Sequence, residues 1–185
     1  MNIFILDEDP ILAARMYCDK HVPKMVVELY QQLGSAAIRH GATPDMMPLT
    51  KAGTPLKGGY HNHPATKWVG DSRQNFRWAA AHALELAWEY RRRFGKVHFC
   101  TPGIEKLVGM AYLIEYNDKM TDFALCMPDM YRPYIWGNPG LSEAKASHAG
   151  GKDAVLAYRE YYIRDKAYFA EWERGRAAPD WWVAI

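Results

Sequence analysis

The apolar residues between Ser72 and Gly95 recur every three or four positions, and this spacing constrains the fold more than any other feature of the sequence. It places them on one face of an amphipathic α-helix, which must be buried against other elements. The residues on that face are Phe76, Ala80, Ala83, Leu84, Ala87 and Tyr90. Ser72 is a favoured N-cap, Gly95 is favoured just after a helix, and three arginines at 91–93 suit the negative C-terminal end. The sequence therefore predicts a long helix over 72–95 within a helical core.

Further helices are expected elsewhere in the chain. Asp9 can cap a helix that begins at Pro10, where the missing N–H of proline costs nothing. Pro23 removes a backbone donor and disfavours helical backbone at the preceding residue, so a kink or break is expected at 20–23. The apolar spacing and terminal signals predict three more helices: 24–40, Thr101 to about Asn117, and Asp153 to about Gly175.

Two long segments lack a helical period. Residues 42–62 and 117–152 are rich in proline, glycine and turn-forming residues, which indicates loops, with one short helix expected at Ser142. Strand-like alternation is confined to residues 2–6. The predicted fold is mainly α: a single compact helical domain over residues 1–185, with long ordered loops and a short extended N-terminal segment.

The composition limits the partners and the location. Of the 185 residues 49% are hydrophobic and 24% are charged, and the net charge of +2 means that polyanion binding requires a local basic patch. No apolar run approaches the roughly 20 residues that cross a bilayer, and the N-terminus does not resemble a secretory signal, so no membrane partner is expected. Cys18, Cys100 and Cys126 form no Cys-x-x-Cys motif, which favours a reducing cytoplasm, that of the host if the chain is viral. The sequence does not indicate the oligomeric state.

A first group of candidate site residues surrounds Pro23. Lys20, His21 and Lys24 lie at the expected helix break, where side chains can project from a helix end. The two lysines can bind a phosphate and lower the pKa of His21, which suits acid–base catalysis near neutral pH. We therefore predict His21 and Lys20 as catalytic residues and Lys24 as a phosphate contact. The alternative is a solvated turn with a capping histidine.

A second group follows the loop at 42–62. We predict that its histidines bond phosphate or a base edge, that its tryptophan stacks on an unstacked base, and that its arginines contact phosphates. The nucleic-acid-binding candidates here are His61, His63, Trp68, Arg73, Asn75 and Arg77, and Asp71 is a catalytic candidate. A zinc site at His61 and His63 would need a third ligand such as Asp71 or His21, and we expect no metal and no cofactor. In the alternative, His63 starts a helix and Trp68 fills the core.

A third group lies in the C-terminal half. Asp129 is a candidate to orient or activate a nucleophile, against the alternative of a simple proline turn. Arg159, Tyr162 and Lys166 share a helix face at i, i+3 and i+7, which suits a phosphate backbone with a stacking neighbour. The alternative is that the tyrosines of this helix cover the edge of the core.

The run Lys20-His21-Val22-Pro23-Lys24, the long helix ending in basic residues and glycine, and the aromatic-basic C-terminal stretch resemble the small all-helical pyrimidine-dimer DNA glycosylases of the phage T4 endonuclease V type. That resemblance implies an N-terminal segment in the active site, DNA as substrate and an amine nucleophile, for which Met1, Lys20 and Lys24 are candidates. His21 stands where that family has its catalytic glutamate. The chain also resembles small uncharacterised tailed-phage proteins with similar Cys-Asp-Lys-His and His-Pro…Trp segments.

The leading hypothesis is a DNA-acting enzyme that processes an extruded or modified pyrimidine base with histidine acid–base chemistry. A DNA glycosylase would cut the sugar–base bond, whereas a base-modifying transferase would replace a group on the pyrimidine. The alternative is a non-catalytic DNA- or protein-binding module of phage type, and a third hypothesis is a histidine–metal hydrolase that acts on nucleotides. The sequence alone does not decide whether the chain is an enzyme.

Overall fold

The computed structural model describes residues 1–117, 119–134 and 144–182, and these residues are mainly helical. The α-helices are α1 (Pro10–Arg15), α2 (His21–Arg39), α3 (Pro64–Asp71), α4 (Arg73–Phe94), α5 (Thr101–Val108) and α6 (Gly151–Lys166). Short 3-10 helices cover Ala111–Leu113 and Asp129–Tyr131. Strands β1 (Phe123–Ala124) and β2 (His148–Ala149) pair antiparallel, with Phe123 opposite Ala149. The predicted mainly-α class is confirmed, while the short helix expected at Ser142 lies outside the described residues.

The boundary between α1 and α2 differs from the prediction. Asp9 caps α1 as expected, because its Oδ1 accepts hydrogen bonds from the Ile11 and Leu12 amides at 2.7 and 3.0 Å. However, α1 ends at Arg15 and α2 begins at His21, so Pro23 lies inside the first turn of α2 instead of breaking a helix there. The amides of a first helical turn have no partner within the helix, so a proline is tolerated at that position.

The long helix agrees with its local signals, whereas three other elements differ. Ser72 Oγ accepts the Asn75 amide at 2.9 Å at the start of α4, and Gly95 is left-handed at its end with φ 68°. Helix α3, a short helix that follows a long turn-rich segment, was expected only in the alternative in which His63 starts a helix, and His63 is its N-cap. Helix α5 ends at Val108 instead of near 117, and α6 covers 151–166 instead of 153–175.

The core lies where α2 packs against α3, α4 and α5, with α1 against α4. The extended residues 3–6 are buried in this core, and the Tyr17 hydroxyl donates to the Phe4 carbonyl at 2.9 Å. Arg159 of α6 donates from Nε to the Leu6 carbonyl at 2.8 Å, which attaches α6 to the same segment. None of the helices in the described ranges combines the length and apolar character needed to cross a bilayer.

A buried ion cluster attaches the segment after α6 to α4. Arg93 donates to Glu89 Oε2 at 2.9 Å and to Asp19 Oδ1 at 3.0 Å. The other Asp19 oxygen accepts the Glu173 amide at 2.8 Å, and Arg176 Nη2 donates to Glu89 Oε1 at 2.7 Å. Burial alone would raise the pKa of Glu89, but Arg176 and Arg93 hold it below its usual value. The cluster therefore joins chain segments that are distant in sequence.

Candidate active site

Five polar residues form a stripe along α2. Lys24, Glu28, Gln32, Ser35 and Arg39 follow one another at intervals of three or four, so they share one face of the helix. The two ends of the stripe are exposed, but Gln32 is 0% exposed and Ser35 is 2% exposed. Polar side chains are seldom buried on an otherwise apolar helix face. We take this α2 stripe as the starting point of the site.

Glu28 brings the stripe into contact with the N-terminal residues. Its Oε2 lies 3.9 Å from the α-amino nitrogen of Met1 and accepts the Asn2 amide at 2.9 Å, while its Oε1 lies 3.6 Å from Lys24 Nζ. The Glu28 side chain is 13% exposed. Two amines therefore flank one largely buried carboxylate. Met1 and Lys24 are also two of the three amines that the glycosylase resemblance implied as nucleophiles.

The N-terminal residues are held firmly against the core. The Met1 side chain is 1% exposed, and the Thr66 hydroxyl of α3 donates to its sulfur at 3.4 Å. Asn2 Nδ2 donates to the Cys126 carbonyl at 2.7 Å, and Tyr158 donates to Asn2 Oδ1 at 3.2 Å. These contacts fix the backbone that presents the Met1 amine to Glu28.

His63 lies close to the same pair of groups. Its Nδ1 accepts the Ala65 amide at 3.3 Å and so caps α3, which places the ring proton on Nε2. Burial is the main cause that lowers the pKa of His63, the Met1 amine lowers it further, and Glu28 opposes the shift. Both the Met1 amine and Glu28 therefore act electrostatically on the His63 imidazole.

His21 occupies a different environment from the one predicted. Its ring is 5% exposed, stacks on Phe4 at 4.8 Å, and is joined to the Tyr162 hydroxyl through Nδ1 at 2.7 Å. Burial, followed by Lys24, Lys166 and Lys20, lowers its pKa to about 3. The expectation that the His21 side chain projects from a helix end is wrong, because the ring packs in the core against Phe4 and Tyr162. Lys20 does project, over the Phe169 ring at 4.6 Å.

Trp68 and Asn75 are core residues. Trp68 is 2% exposed and packs against Trp78 and Phe123 at 5.8 and 5.1 Å between ring centres. Asn75 is fully buried and donates to the Trp68 carbonyl and the Thr121 hydroxyl, both at 2.7 Å. The predicted stacking of Trp68 on a base is contradicted by its burial, and the alternative of a core role is confirmed. Asn75 likewise has no free edge for a nucleic acid.

The predicted arginines on α4 differ from each other. Arg73 donates from Nε to the Ile114 carbonyl at 2.9 Å and from Nη2 to the Tyr112 carbonyl at 3.1 Å, so it anchors the segment after α5. Arg77 is exposed beside Trp78 in a shallow depression. Its contact with nucleic acid stays a prediction.

The face of α6 that was predicted to contact nucleic acid is partly buried. Tyr162 is fully buried and accepts the Cys18 amide at 3.0 Å, which contradicts its predicted contact with nucleic acid. Arg159 is engaged with Leu6 and lies 3.5 Å from Asp7, while Lys166 donates to the Tyr161 hydroxyl at 3.1 Å. Arg159 and Lys166 therefore contact partners within the chain instead of forming a shared surface for phosphates.

The two catalytic aspartates that the sequence suggested lie in different places. Asp129 is exposed and paired with Arg132 at 3.0 Å. Asp71 accepts from Arg39 at 2.8 Å and lines the same cavity as His61. No group of three His, Cys, Asp or Glu side chains in the described part of the chain could hold a metal ion.

Sequence reasoning missed Glu28, Gln32 and Arg39. The signal was present in the spacing Lys24-x3-Glu28-x3-Gln32, which places an acid and an amide one and two turns after a candidate lysine. The two flanking lysines favoured His21 for the acid–base role, whereas packing brings an acid, Glu28, from two helical turns further on. The chain matches no family model, no curated protein and no solved structure.

Proposed function

We propose that the chain is a DNA-acting enzyme that attacks an extruded pyrimidine nucleotide with an amine, in the manner of a DNA glycosylase. The observation that carries the proposal is the Glu28 carboxylate, 3.9 Å from the Met1 amine and 3.6 Å from Lys24 Nζ. An amine must be neutral to attack carbon, and Glu28 is the carboxylate paired with both amines. These are ion-pair distances, so proton transfer requires the amine to approach Glu28 to hydrogen-bond distance, or one intervening water, in the complex with DNA. The pyrimidine-dimer glycosylases that the sequence resembles also pair an amine with a glutamate, but the resemblance places that glutamate at His21, so geometry alone carries the assignment of Glu28.

The proposed reaction is a substitution at the sugar followed by ring opening. The neutral amine bonds to C1′ as the bond from C1′ to the base breaks, and the base leaves with that electron pair and one amine proton. The second amine proton moves to O4′ as the C1′–O4′ bond breaks, which leaves a C1′=N imine. Glu28 relays these protons, the acid–base role that the sequence suggested for His21. Water then hydrolyses the imine, which restores the amine and leaves an abasic sugar.

The competing hypotheses predict different products. A base-modifying transferase adds mass to DNA without loss of the base, and a non-catalytic binding module changes no mass at all. On DNA that still carries its base, only an amine glycosylase gives a protein–DNA adduct that borohydride reduces to a stable amine; at an abasic site the free aldehyde also reacts with the amines of a non-catalytic binder. Intact mass spectrometry after incubation with short DNA containing a thymine dimer, a uracil or an abasic site therefore separates the three.

We expect Glu28→Gln to lower the yield of the borohydride-trapped adduct by about 10² or more, because a general acid–base group contributes 10²- to 10⁴-fold. Glu160→Gln is the matched control, since Glu160 is an exposed α6 residue paired with Arg164. Peptide mapping of the adduct identifies the attacking amine as Met1 or Lys24. The absence of adduct and base loss on every DNA, or equal trapping by Glu28→Gln, would contradict the proposal.

A further inference from the structure

A cavity of about 540 Å³ opens between α2 and the segment that leads into α3. Ser35 and Arg39 line it from the same α2 stripe that carries Glu28, two and three turns further along. Thr66, which also lines it, donates to the Met1 sulfur, and Pro64 directly follows His63. The cavity therefore lies on the same side of α2 as Glu28, beginning two turns further along, and Thr66 connects it with the Met1 side chain.

The lining of this cavity is predominantly basic. Arg39, Lys67, His61 and His148 line it against a single carboxylate, Asp71. Arg39 Nη1 is fixed by hydrogen bonds to Asp71 Oδ1 at 2.8 Å and to the Lys67 carbonyl at 3.0 Å. Because Asp71 is already paired with Arg39, the Lys67 ammonium supplies the positive charge that remains for an anion, and the imidazoles of His61 and His148 add hydrogen-bonding groups.

The loop that carries His61 is pinned to α2 before any ligand binds. Ser35 Oγ donates to the Gly59 carbonyl at 2.9 Å and accepts the Gly59 amide at 2.8 Å. Gly58 adopts φ 70° against Ser35, where a side chain would collide with the α2 backbone. Tyr60 holds a left-handed φ of 53°, which is strained for a non-glycine residue. The fixed loop positions one wall of the cavity without an ordering cost on binding.

We propose that this cavity binds a phosphate of the DNA strand beside the attacked nucleotide. The inference rests on the proposed function, because it takes the amines and Glu28 as the reacting centre. The volume of the cavity lies within the range of small-molecule and cofactor sites, roughly 300–1,000 Å³. A basic cavity on the same side of α2 as the reacting centre holds the strand in place while the sugar is attacked.

Lys67→Ala tests this assignment, with Lys96→Ala as the matched control because Lys96 is an exposed lysine beyond the end of α4. Affinity for a short single-stranded oligothymidylate is measured between about 50 and 200 mM salt. We expect Lys67→Ala to weaken binding about five- to tenfold at low salt and to reduce the slope of log K against log salt by about 1, with Lys96→Ala close to wild type. His61→Ala should weaken binding in the same direction.

Equal affinity and slope for Lys67→Ala, His61→Ala and wild type would overturn the phosphate site. Thymidine 5′-monophosphate is a second probe: if Lys67→Ala weakens only its binding, the cavity serves a free nucleotide and the strand assignment is overturned. Adduct trapping by the wild-type chain reports on the proposed function alone, whereas the slope difference between wild type and Lys67→Ala reports on the cavity alone. The two proposals can therefore fail separately.

Discussion

Glu28 and Gln32 lie one turn apart on the α2 stripe, but they differ in how well their buried polar atoms are satisfied. Glu28 satisfies its carboxylate with two amines and the Asn2 amide. Gln32, one turn later, is fully buried, and neither its amide oxygen nor its amide nitrogen has a hydrogen-bond partner among the residues that the structure describes. An unsatisfied buried amide lowers stability by roughly 1–3 kcal/mol, so this residue opposes folding where Glu28 does not.

We expect Gln32→Met to raise the free energy of unfolding by about 1–2 kcal/mol, because methionine fills a similar volume and needs no hydrogen bond. Urea unfolding followed by circular dichroism measures the change. Gln31→Met, at the neighbouring half-buried position, is the control and should stay within about 0.5 kcal/mol of wild type. A less stable Gln32→Met would mean that the amide is satisfied in solution, for instance by bound water.

Helix–helix contacts depend on whether two backbones can approach closely, as the packing of α5 on α2 illustrates. Gly103 of α5 faces Tyr30 of α2, and a Cβ atom added at Gly103 would lie 2.5 Å from Tyr30 Cε2. Helix propensity alone would favour alanine over glycine at this position by about 1 kcal/mol. Because Tyr30 is itself buried, the collision cannot be relieved easily and should outweigh propensity.

Gly103→Ala is therefore expected to lower the free energy of unfolding by about 1–3 kcal/mol. The control is Gly109→Ala at the end of the same helix, where the nearest atom to an added Cβ is the Lys106 carbonyl oxygen at an ordinary 3.4 Å. Both variants are compared with wild type by thermal and urea unfolding. Equal stabilities of Gly103→Ala and wild type would show that α5 can move away from α2 at little cost.

Elements also differ in how well local signals define them. The caps of α1 and α4 follow from Asp9, Ser72 and Gly95, which act on groups within a few residues. Local signals do not determine the break before α2 or the existence of α3, because Pro23 and Pro64 are compatible with either a loop or a first helical turn. Packing against α2 and α4 decides between these states, and a single sequence does not show it.

At the scale of the whole molecule, burial lowers the pKa of three histidines, His21, His82 and His98, and the shifts are largest for His21 and His82. His82 joins the Pro10 carbonyl at 2.8 Å and the Tyr17 hydroxyl at 3.1 Å, and burial lowers its pKa to about 4. The pKa of His21 is lowered to about 3, chiefly by burial. In the unfolded chain both groups return towards their ordinary value of 6.5, so the unfolded state binds more protons below that pH.

The free energy of unfolding should therefore be fully retained above about pH 6.5 and fall as the pH drops towards 4. Between pH 7 and pH 5 we expect a loss of roughly 3 kcal/mol from the two histidines together, measured by urea unfolding at each pH. The comparison stops at pH 5 because the lowered pKa of Glu89 adds a further loss near and below its ordinary value of 4.5.

His82→Asn should remove about half of this pH dependence, since asparagine retains a donor for the Pro10 carbonyl but does not titrate. His148→Gln is the control, because His148 is an exposed imidazole on β2 and not part of the core. Equal unfolding free energies at pH 5 and pH 7 in the wild-type chain would contradict the burial of neutral His21 and His82.

The sequence by itself determined the mainly helical class, the position of α4 and the caps that delimit it, because these depend on interactions within about four residues. It also supplied Met1 and Lys24 as candidate amines and His61 and Asp71 as neighbours of a shared site. Only the tertiary structure decided that Glu28 is the acid beside those amines, and that His21, Trp68 and Tyr162 are interior residues. Burial and pairing are set by contacts between residues far apart in the chain, as between Met1 and Glu28, and spacing along one segment cannot specify them.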